Sequence, residues 1–406
     1  MLPWLFAEPG TAQKSVGQAA RHVDARIAVF LSGLGMVKSL WLLFVFSSLQ
    51  RKGDCYVAVD IPSKRVINAM APIRVCDLGG WTDTWFAGSG AVFNVGVYPY
   101  AEVQIYVYKN GARDARITIN AENFGDRYHI DPTQIRYDRH PLLEASIDIM
   151  NLPENLSFEV NLFSGAPAGA STGTSAAVSV ALLGALDLLT DGHRTPHEIA
   201  RLAHRVETEN LGLQCGIQDQ LCSAYGGVCF IEMFQYPLAT VSQIVVPNSV
   251  WWELERRLVL VFLGEAHSSS DVHGKVIEGF EGKNADKSAL EPLREAARAG
   301  KNALYSQDFK ALGRAMVENT EAQAGLHPAL VSGEARAIIA LAKEHGAVGW
   351  KVNGAGGQGG SLTILCGAEG EKKRAFIDAL PSLDPKFQVI PTYLSRVGLR
   401  RWESFA

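Results

Sequence analysis

Residues 167–177, Pro-Ala-Gly-Ala-Ser-Thr-Gly-Thr-Ser-Ala-Ala, collect the small side chains and hydroxyls that a bound phosphate needs. Small residues let backbone N–H groups come close to an anion, and the Ser and Thr hydroxyls add donors or metal ligands. A β-rich run at 156–163 precedes the loop and a helix-like run at 175–189 follows it, so a helix presents its positive end to the same place. Such ordered flanks argue against a flexible Gly/Ser linker. No Gly-Lys-Ser/Thr closes the loop or occurs elsewhere, so a nucleotide site of another type than Walker A is implied. Two charged segments accompany it. Arg74-Val-Cys-Asp-Leu-Gly-Gly-Trp-Thr-Asp-Thr84 brings a cation, two carboxylates and an indole to one strand end. Glu207-Thr-Glu-Asn-Leu-Gly-Leu-Gln-Cys-Gly-Ile-Gln-Asp-Gln220 sets an acidic pair at a helix C-terminus, an unfavourable placement that a nearby cation would relieve.

The elements that must position these groups follow from periodicity. Residues 65–76 read as a strand running into the Gly79-Gly80 turn, and 92–97, 101–108 and 115–120 alternate apolar and polar residues as half-buried strands do. Helices are expected at 175–189 and 197–211, the second capped by Thr195 with Pro196 in its first turn. A fully apolar strand at 258–263 opens a second part with helices near 285–302, 309–318 and 332–345. Strands at 348–352 and 361–365 then enclose Asn353-Gly-Ala-Gly-Gly-Gln-Gly-Gly360.

With 406 residues, 47% of them hydrophobic and 20% charged, the chain is long enough for two or three domains. A net charge of -4 gives no basic excess for nucleic-acid phosphates and favours a small-molecule partner. The six cysteines form no C-x-x-C pair or zinc spacing, as expected of buried thiols in a reducing, cytoplasmic setting. Residues 27–49 form an apolar run with Lys38 as its only charge. Three readings fit it: a membrane anchor, a helix packed on the body, or sequence foreign to the folded unit. Any membrane contact falls to this run, and oligomeric state is left open.

Taken in order, the motifs resemble the GHMP kinase superfamily, the group of galactokinase, homoserine kinase, mevalonate kinase and phosphomevalonate kinase. The family's Pro-x-x-x-Gly-Leu-Gly-Ser-Ser-Ala corresponds to Pro167–Ala177, and its Gly-Ala-Gly-Gly-Gly-Gly to Gly354-Ala-Gly-Gly-Gln-Gly359. The resemblance covers residues from about Arg65 onward. It implies an α+β fold with a ribosomal-protein-S5-like N-terminal domain at 65–245 and a ferredoxin-like C-terminal domain at 246–406, after an extension at 1–64. It also implies ATP and Mg²⁺ as cofactors. Pro167, Gly169, Ala170, Ser171, Gly173, Thr174, Ser175 and Ala176 fall at the ATP-binding positions. This chain departs from the pattern at Ser171 for a usual Gly, Thr172 for Leu, Thr174 for Ser, and Gln358 within the last run. Ser171 would narrow the loop if its position needs a positive φ.

By the same resemblance Asp219 matches the catalytic base of galactokinase-like members and Arg74 the cation beside it, while Ser175 and Glu207 match the metal ligands. Helical periodicity does not separate Glu207 from Glu209; the family spacing to Asp219 selects Glu207. Gly80, Trp81 and Asp83, with Gly356 and Gly357, fall on the substrate side. Galactokinases carry Gly-Glu-His-Thr-Asp-Tyr where this chain has Gly79-Gly-Trp-Thr-Asp-Thr84, which argues against galactose. The segment is similar to Gly-Gly-Trp-Ser-Asp-Thr of L-fucokinases and Gly-Gly-Gly-Thr-Asp of D-glycero-D-manno-heptose 7-phosphate kinases, which phosphorylate an anomeric hydroxyl. His267-Ser-Ser-Ser-Asp-Val-His273 resembles a galactokinase loop beside the sugar. The implied reaction yields a sugar 1-phosphate, and the single placed cation, Arg74, favours a sugar without a phosphate of its own. The rivals are a heptose 7-phosphate kinase, a mevalonate-diphosphate-decarboxylase-like enzyme or isoprenoid kinase, and a non-catalytic GHMP homologue.

Overall fold

The computed structural model describes residues 65–109, 115–266, 270–282 and 285–405. The extension at 1–64 with its apolar run at 27–49, and positions 267–269 of the polar loop, lie outside the described residues. Among the described residues no helix is long and apolar enough to cross a membrane.

The chain opens with β1 (Arg65–Leu78) and β2 (Gly90–Lys109), a long antiparallel pair whose register shifts at Pro72/Ile73. The two strands expected at 92–97 and 101–108 are thus one element. Then come β3 (Ile117–Ala121), β4 (Asp126–Ile130), α1 (Pro141–Asp148) and β5 (Leu156–Ser164). The phosphate-type loop leads into α2 (Thr174–Asp187). Next is α3 (Pro196–Arg205), whose Thr195 and Glu198 form a capping box that satisfies the first backbone donors. One π-helical turn (Val206–Asn210) extends α3 before α4 (Gln218–Tyr225), β6 (Val228–Gln235) and β7 (Leu238–Gln243). The second half runs α5 (Asn248–Arg257), β8 (Leu258–Phe262), α6 (Ser270–Glu281), α7 (Glu291–Tyr305), α8 (Phe309–Leu326) and α9 (Gly333–Glu344). It closes with β9 (Gly349–Val352), β10 (Ser361–Leu365), α10 (Gly370–Leu383), β11 (Gln388–Ile390), β12 (Tyr393–Leu394) and β13 (Arg400–Phe405).

Two sheets result. The nine-stranded one follows β13-β1-β2-β5-β3-β4, with β6 and β12 paired to β2 and β7 paired to β6, and only β3 and β5 pair in parallel. The four-stranded one, β11-β8-β10-β9, is antiparallel. Because β12 and β13 hydrogen-bond to β2 and β1, the last strands return to the first sheet, and a cut at residue 245 does not divide the two sheets cleanly. β8 explains its own unbroken apolar sequence. Leu258, Leu260 and Phe262 face the larger core, while Val259 and Val261 enter a second one with Ile338, Phe376 and Leu380. Helix α7 closes on the first sheet at Gly300, where an added Cβ would lie 2.5 Å from Leu78.

Candidate active site

Each group of the site sits at an element end. At the end of β1 the chain turns through Gly79 and Trp81, both at positive φ, and a Cβ on Gly79 would stand 1.9 Å from the Ala91 carbonyl. Thr82 pins the turn, its hydroxyl donating to Gly79 O (2.7 Å) and accepting from Ala91 N (3.1 Å). This fixes Trp81 and Asp83 beside a cavity of about 360 Å³, whose lining also includes Arg74, Ser175, Glu207, Gln218, Asp219 and Gln220. Helix α6 covers the aromatic side. His273 meets Trp81 edge-on at 5.4 Å, Phe280 stacks on Phe86 at 5.5 Å, and the Trp85 indole donates to Glu281 (2.7 Å). The Trp81 Nε1–H is buried, with no partner among the described residues.

Arg74 and Asp219 form a two-point pair, Nε to Oδ1 at 2.8 Å and Nη2 to Oδ2 at 3.1 Å. Arg74 is buried, whereas the Asp219 side chain keeps 27% of its exposure and lines the cavity. Burial would loosen the guanidinium proton, but the Asp219 and Asp77 carboxylates outweigh it and raise the pKa. The third guanidinium nitrogen, Nη1, donates to Ser171 O, and Arg74 N donates to Thr172 O (2.9 Å), which tethers the phosphate-type loop to β1.

That loop alternates left-handed residues: Gly169 (φ 72°), Ser171 (φ 56°) and Gly173 (φ 68°). Ser171, where glycine is usual, therefore does stand in the strained region, at about 1–2 kcal/mol. Gly173 is the N-cap of α2 and supplies no side-chain cap, leaving the first helical N–H groups free of any side-chain partner at that end. A Cβ there would stand 3.1 Å from the Asp219 carboxylate, so glycine is what lets helix end and carboxylate meet. Pro167, Gly169, Thr174 and Ser175 line a second, more apolar cavity of about 530 Å³, with Phe124, Pro141 and Val178 on its walls. Ser175 lines both cavities and Ala176 the first. Ala170 and Ser171 line neither; Ala170 O accepts from Ser361 Oγ (2.5 Å), tying the loop to β10.

The π turn after α3 carries Glu207 into the first cavity, while Glu209 turns outward to Arg205 (2.9 Å). Such single π turns recur at functional sites. Glu207 accepts from Gln220 Nε2 (2.9 Å), and no Lys or Arg pairs with it among the described residues. Burial pushes its pKa up to about 7, against the Gln220 hydrogen bond and with help from the Asp219 charge. A buried carboxylate without a cation, near a serine hydroxyl at a helix N-terminus, is a donor set that fits a hard, water-rich Mg²⁺ site. The free helix end fits a phosphate chain.

Other expected substrate residues part company here. Asp83 lines the cavity, but its Oδ2 accepts from Ile217 N (2.9 Å) and Gln218 N (3.0 Å), so it caps α4, the helix that carries Asp219. Gly80 is outside the lining and packs on Asp77 and Gln218. Gly356 and Gly357 are also outside it. A Cβ on Gly356 would meet Leu330 O at 2.3 Å, and Gly357 N donates to Leu330 O (2.9 Å), so both hold the glycine loop to the α8–α9 connection. Gly354 and Ala355 reach the cavity in their place. The pair that anchors them, Asp77 and Lys351, is not among the residues given a role by the motifs. Asp77 is wholly buried, accepts from Gly354 N (3.0 and 3.2 Å) and faces buried Lys351 at 3.5 Å. The signal was there, a lysine inside the apolar strand Gly349–Val352.

Burial, opposed by its backbone hydrogen bonds, holds Asp83 at a pKa of about 6. Between roughly pH 4, the unfolded value, and 6 the native state binds the extra proton, so its contribution to stability falls as pH rises through that window. Asp83→Asn removes this titration. The melting temperature of the variant minus that of the parent is expected to climb from pH 4 to pH 6 and level off above; a pH-independent difference would contradict the burial argument.

Residues 142–227 match the GHMP kinases N terminal domain and residues 301–382 the GHMP kinases C terminal domain. A mevalonate kinase from Thermococcus sibiricus is 31% identical over 249 residues, 59% of this chain and 68% of that enzyme. The chain belongs to the GHMP kinases. The D-glycero-alpha-D-manno-heptose 7-phosphate kinase of Campylobacter jejuni is 30% identical over 207 residues, 50% of this chain and 60% of the relative's length. The crystal structure of a D-glycero-D-manno-heptose 1-phosphate kinase from Bacteroides thetaiotaomicron superposes with a TM-score of 0.65 at 24% identity, over 84% of this chain and all of the other. The α+β arrangement around two sheets is the GHMP fold.

Proposed function

We propose that this GHMP kinase transfers the γ-phosphoryl group of ATP to an uncharged monosaccharide, at the anomeric hydroxyl, giving a sugar 1-phosphate. The observation that carries the reading is the Arg74–Asp219 pair, set in a cavity wall beside the uncapped start of α2. In this reading the apolar cavity bounded by Phe124 and Val178 takes the nucleoside, and Ser175, which lines both cavities, lies where the phosphates cross from one to the other. Ser175 and Glu207 would hold Mg²⁺, which when bound shields the phosphate charge. Asp219 accepts the proton of the sugar hydroxyl or orients it in line. Arg74 holds the Asp219 carboxylate in place through its two hydrogen bonds and offsets charge gathering on the transferred group.

The choice of an uncharged acceptor rests on the charge of the cavity. Among the described residues its lining carries Asp83, Glu207 and Asp219 but a single Arg or Lys, Arg74, already committed to Asp219. The relatives above are named for a heptose phosphate and for mevalonate, both anions. An acceptor phosphate or carboxylate wants a cation of its own, and an aromatic wall of Trp81, Trp85 and Phe86 offers a sugar's apolar face instead.

The test is a coupled MgATP assay over L-fucose, galactose, mannose, arabinose, glucuronate, heptose 7-phosphate and mevalonate, with the phosphorylated position read by phosphorus NMR. Turnover is expected with a neutral sugar and a 1-phosphate product. Turnover confined to heptose 7-phosphate or mevalonate would overturn the acceptor class, and ligand binding without turnover would establish a non-catalytic homologue.

A further inference from the structure

Gln220 lies in the first turn of α4, is 2% exposed, and lines the cavity between Glu207 and Cys215. Chemistry fixes which way its amide points. Glu207 holding a cation is ionised and offers only acceptor oxygens, so the NH₂ faces the one 2.9 Å away, with Cys215 Sγ at 4.0 Å on the same nitrogen. The carbonyl oxygen, Oε1, is then left over. It is buried and has no hydrogen-bond partner among the described residues. Natural proteins rarely leave such an acceptor empty, and where they do a missing ion or water is a standard reason. Its neighbour Glu207 is the other buried acceptor here without a cation.

We infer that Gln220 is a positioning residue of the cation site, its N–H fixing Glu207 and its Oε1 serving as an added oxygen donor to the hydrated divalent ion. The inference rests on the MgATP reading above. Hard cations take amide carbonyl oxygens alongside carboxylates, and groups that orient a metal-bound carboxylate change metal affinity when removed. The π turn and α4 meet at this pair, so the side chain that braces Glu207 and the side chain that would take the proton, Asp219, are sequence neighbours on one short helix.

Manganese is the probe, read by electron paramagnetic resonance on the full-length protein with a non-hydrolysable ATP analogue. Gln220→Met keeps the volume and removes both amide groups; Gln220→Glu keeps the carbonyl oxygen, replaces the NH₂ by a second oxygen and adds a charge. The Met variant is expected to weaken Mn²⁺ binding in the ternary complex by about tenfold or more. Metal-free analogue affinity should stay at the parent value while the melting temperature falls with the loss of the hydrogen bond to buried Glu207, and the Glu variant should hold Mn²⁺ better than the Met variant. Mn²⁺ affinity within twofold of the parent in the Met variant overturns the role of Gln220 alone. Equal losses in the two variants would reduce it to packing. A parent protein that adds nothing to the Mn²⁺ binding of the analogue itself overturns the inference together with the MgATP reading. If the Met variant does not fold, Gln220→Leu supplies the same comparison.

Discussion

Asp219→Asn is expected to lower turnover by about a thousandfold, the middle of the range for losing a positioned proton acceptor, while ATP-analogue affinity stays within twofold. The substitution keeps the shape and one hydrogen bond to Arg74, so the local frame survives. What it removes is the ability to take a proton and the charge that balances a buried guanidinium. Asp77 lies close enough to Arg74 to bear on its proton affinity, so Arg74 is not left wholly uncompensated and the variant should stay folded. Steady-state kinetics on the sugar found by the acceptor panel, with calorimetric titration of the analogue, measure both halves. A variant turning over at a rate close to the parent would show that Asp219 only positions the acceptor. Loss of analogue binding with the activity would point to Arg74 and the loop it tethers through Ser171 and Thr172.

The parts of this site legible in the sequence are those where a local pattern and a local function coincide. The loop before α2 could be read because small residues, hydroxyls and a helix start are adjacent in the chain. Strand β10 and helix α9 could be read because their periodicity is clean and their ends are capped or glycine-bound. Glu207 and Glu209 could not be separated by helical period, because the helix does not keep that period: the π turn rotates Glu207 inward and leaves Glu209 to Arg205. The glycine run is hard to read for a different reason. Seven residues of nearly one type have no internal landmark, so their spacing alone does not tell which of them line the cavity: Gly356 and Gly357 lie against Leu330, and Gly354 lines it. Asp83 shows the limit of a motif. The letters name a carboxylate at the site, but only the fold reveals that one of its oxygens is spent on the start of α4.

The widest gap between sequence and structure is also where the largest effect on stability is expected. Lys351 is 1% exposed and Asp77 not at all, and each is held by groups far away in the chain. The lysine donates to Gln323 Oε1 (3.0 Å) and to the Val352 carbonyl, and burial pulls its pKa down against the pull of Asp77. Lys351→Met leaves the Asp77 carboxylate buried with the one backbone N–H of Gly354 and no lysine. Breaking a buried pair from one side costs about 3–5 kcal/mol, and that loss is expected in chemical denaturation. The double variant Lys351→Met with Asp77→Asn should recover most of it, since a neutral pair avoids stranding a charge and Asn can still accept from Gly354 N. A single variant losing less than about 1 kcal/mol would mean that water reaches the site. If the double variant regains stability but its sugar KM rises, the pair is kept for the placement of Gly354 and Ala355 against the cavity, because the charge itself would then be dispensable to the fold.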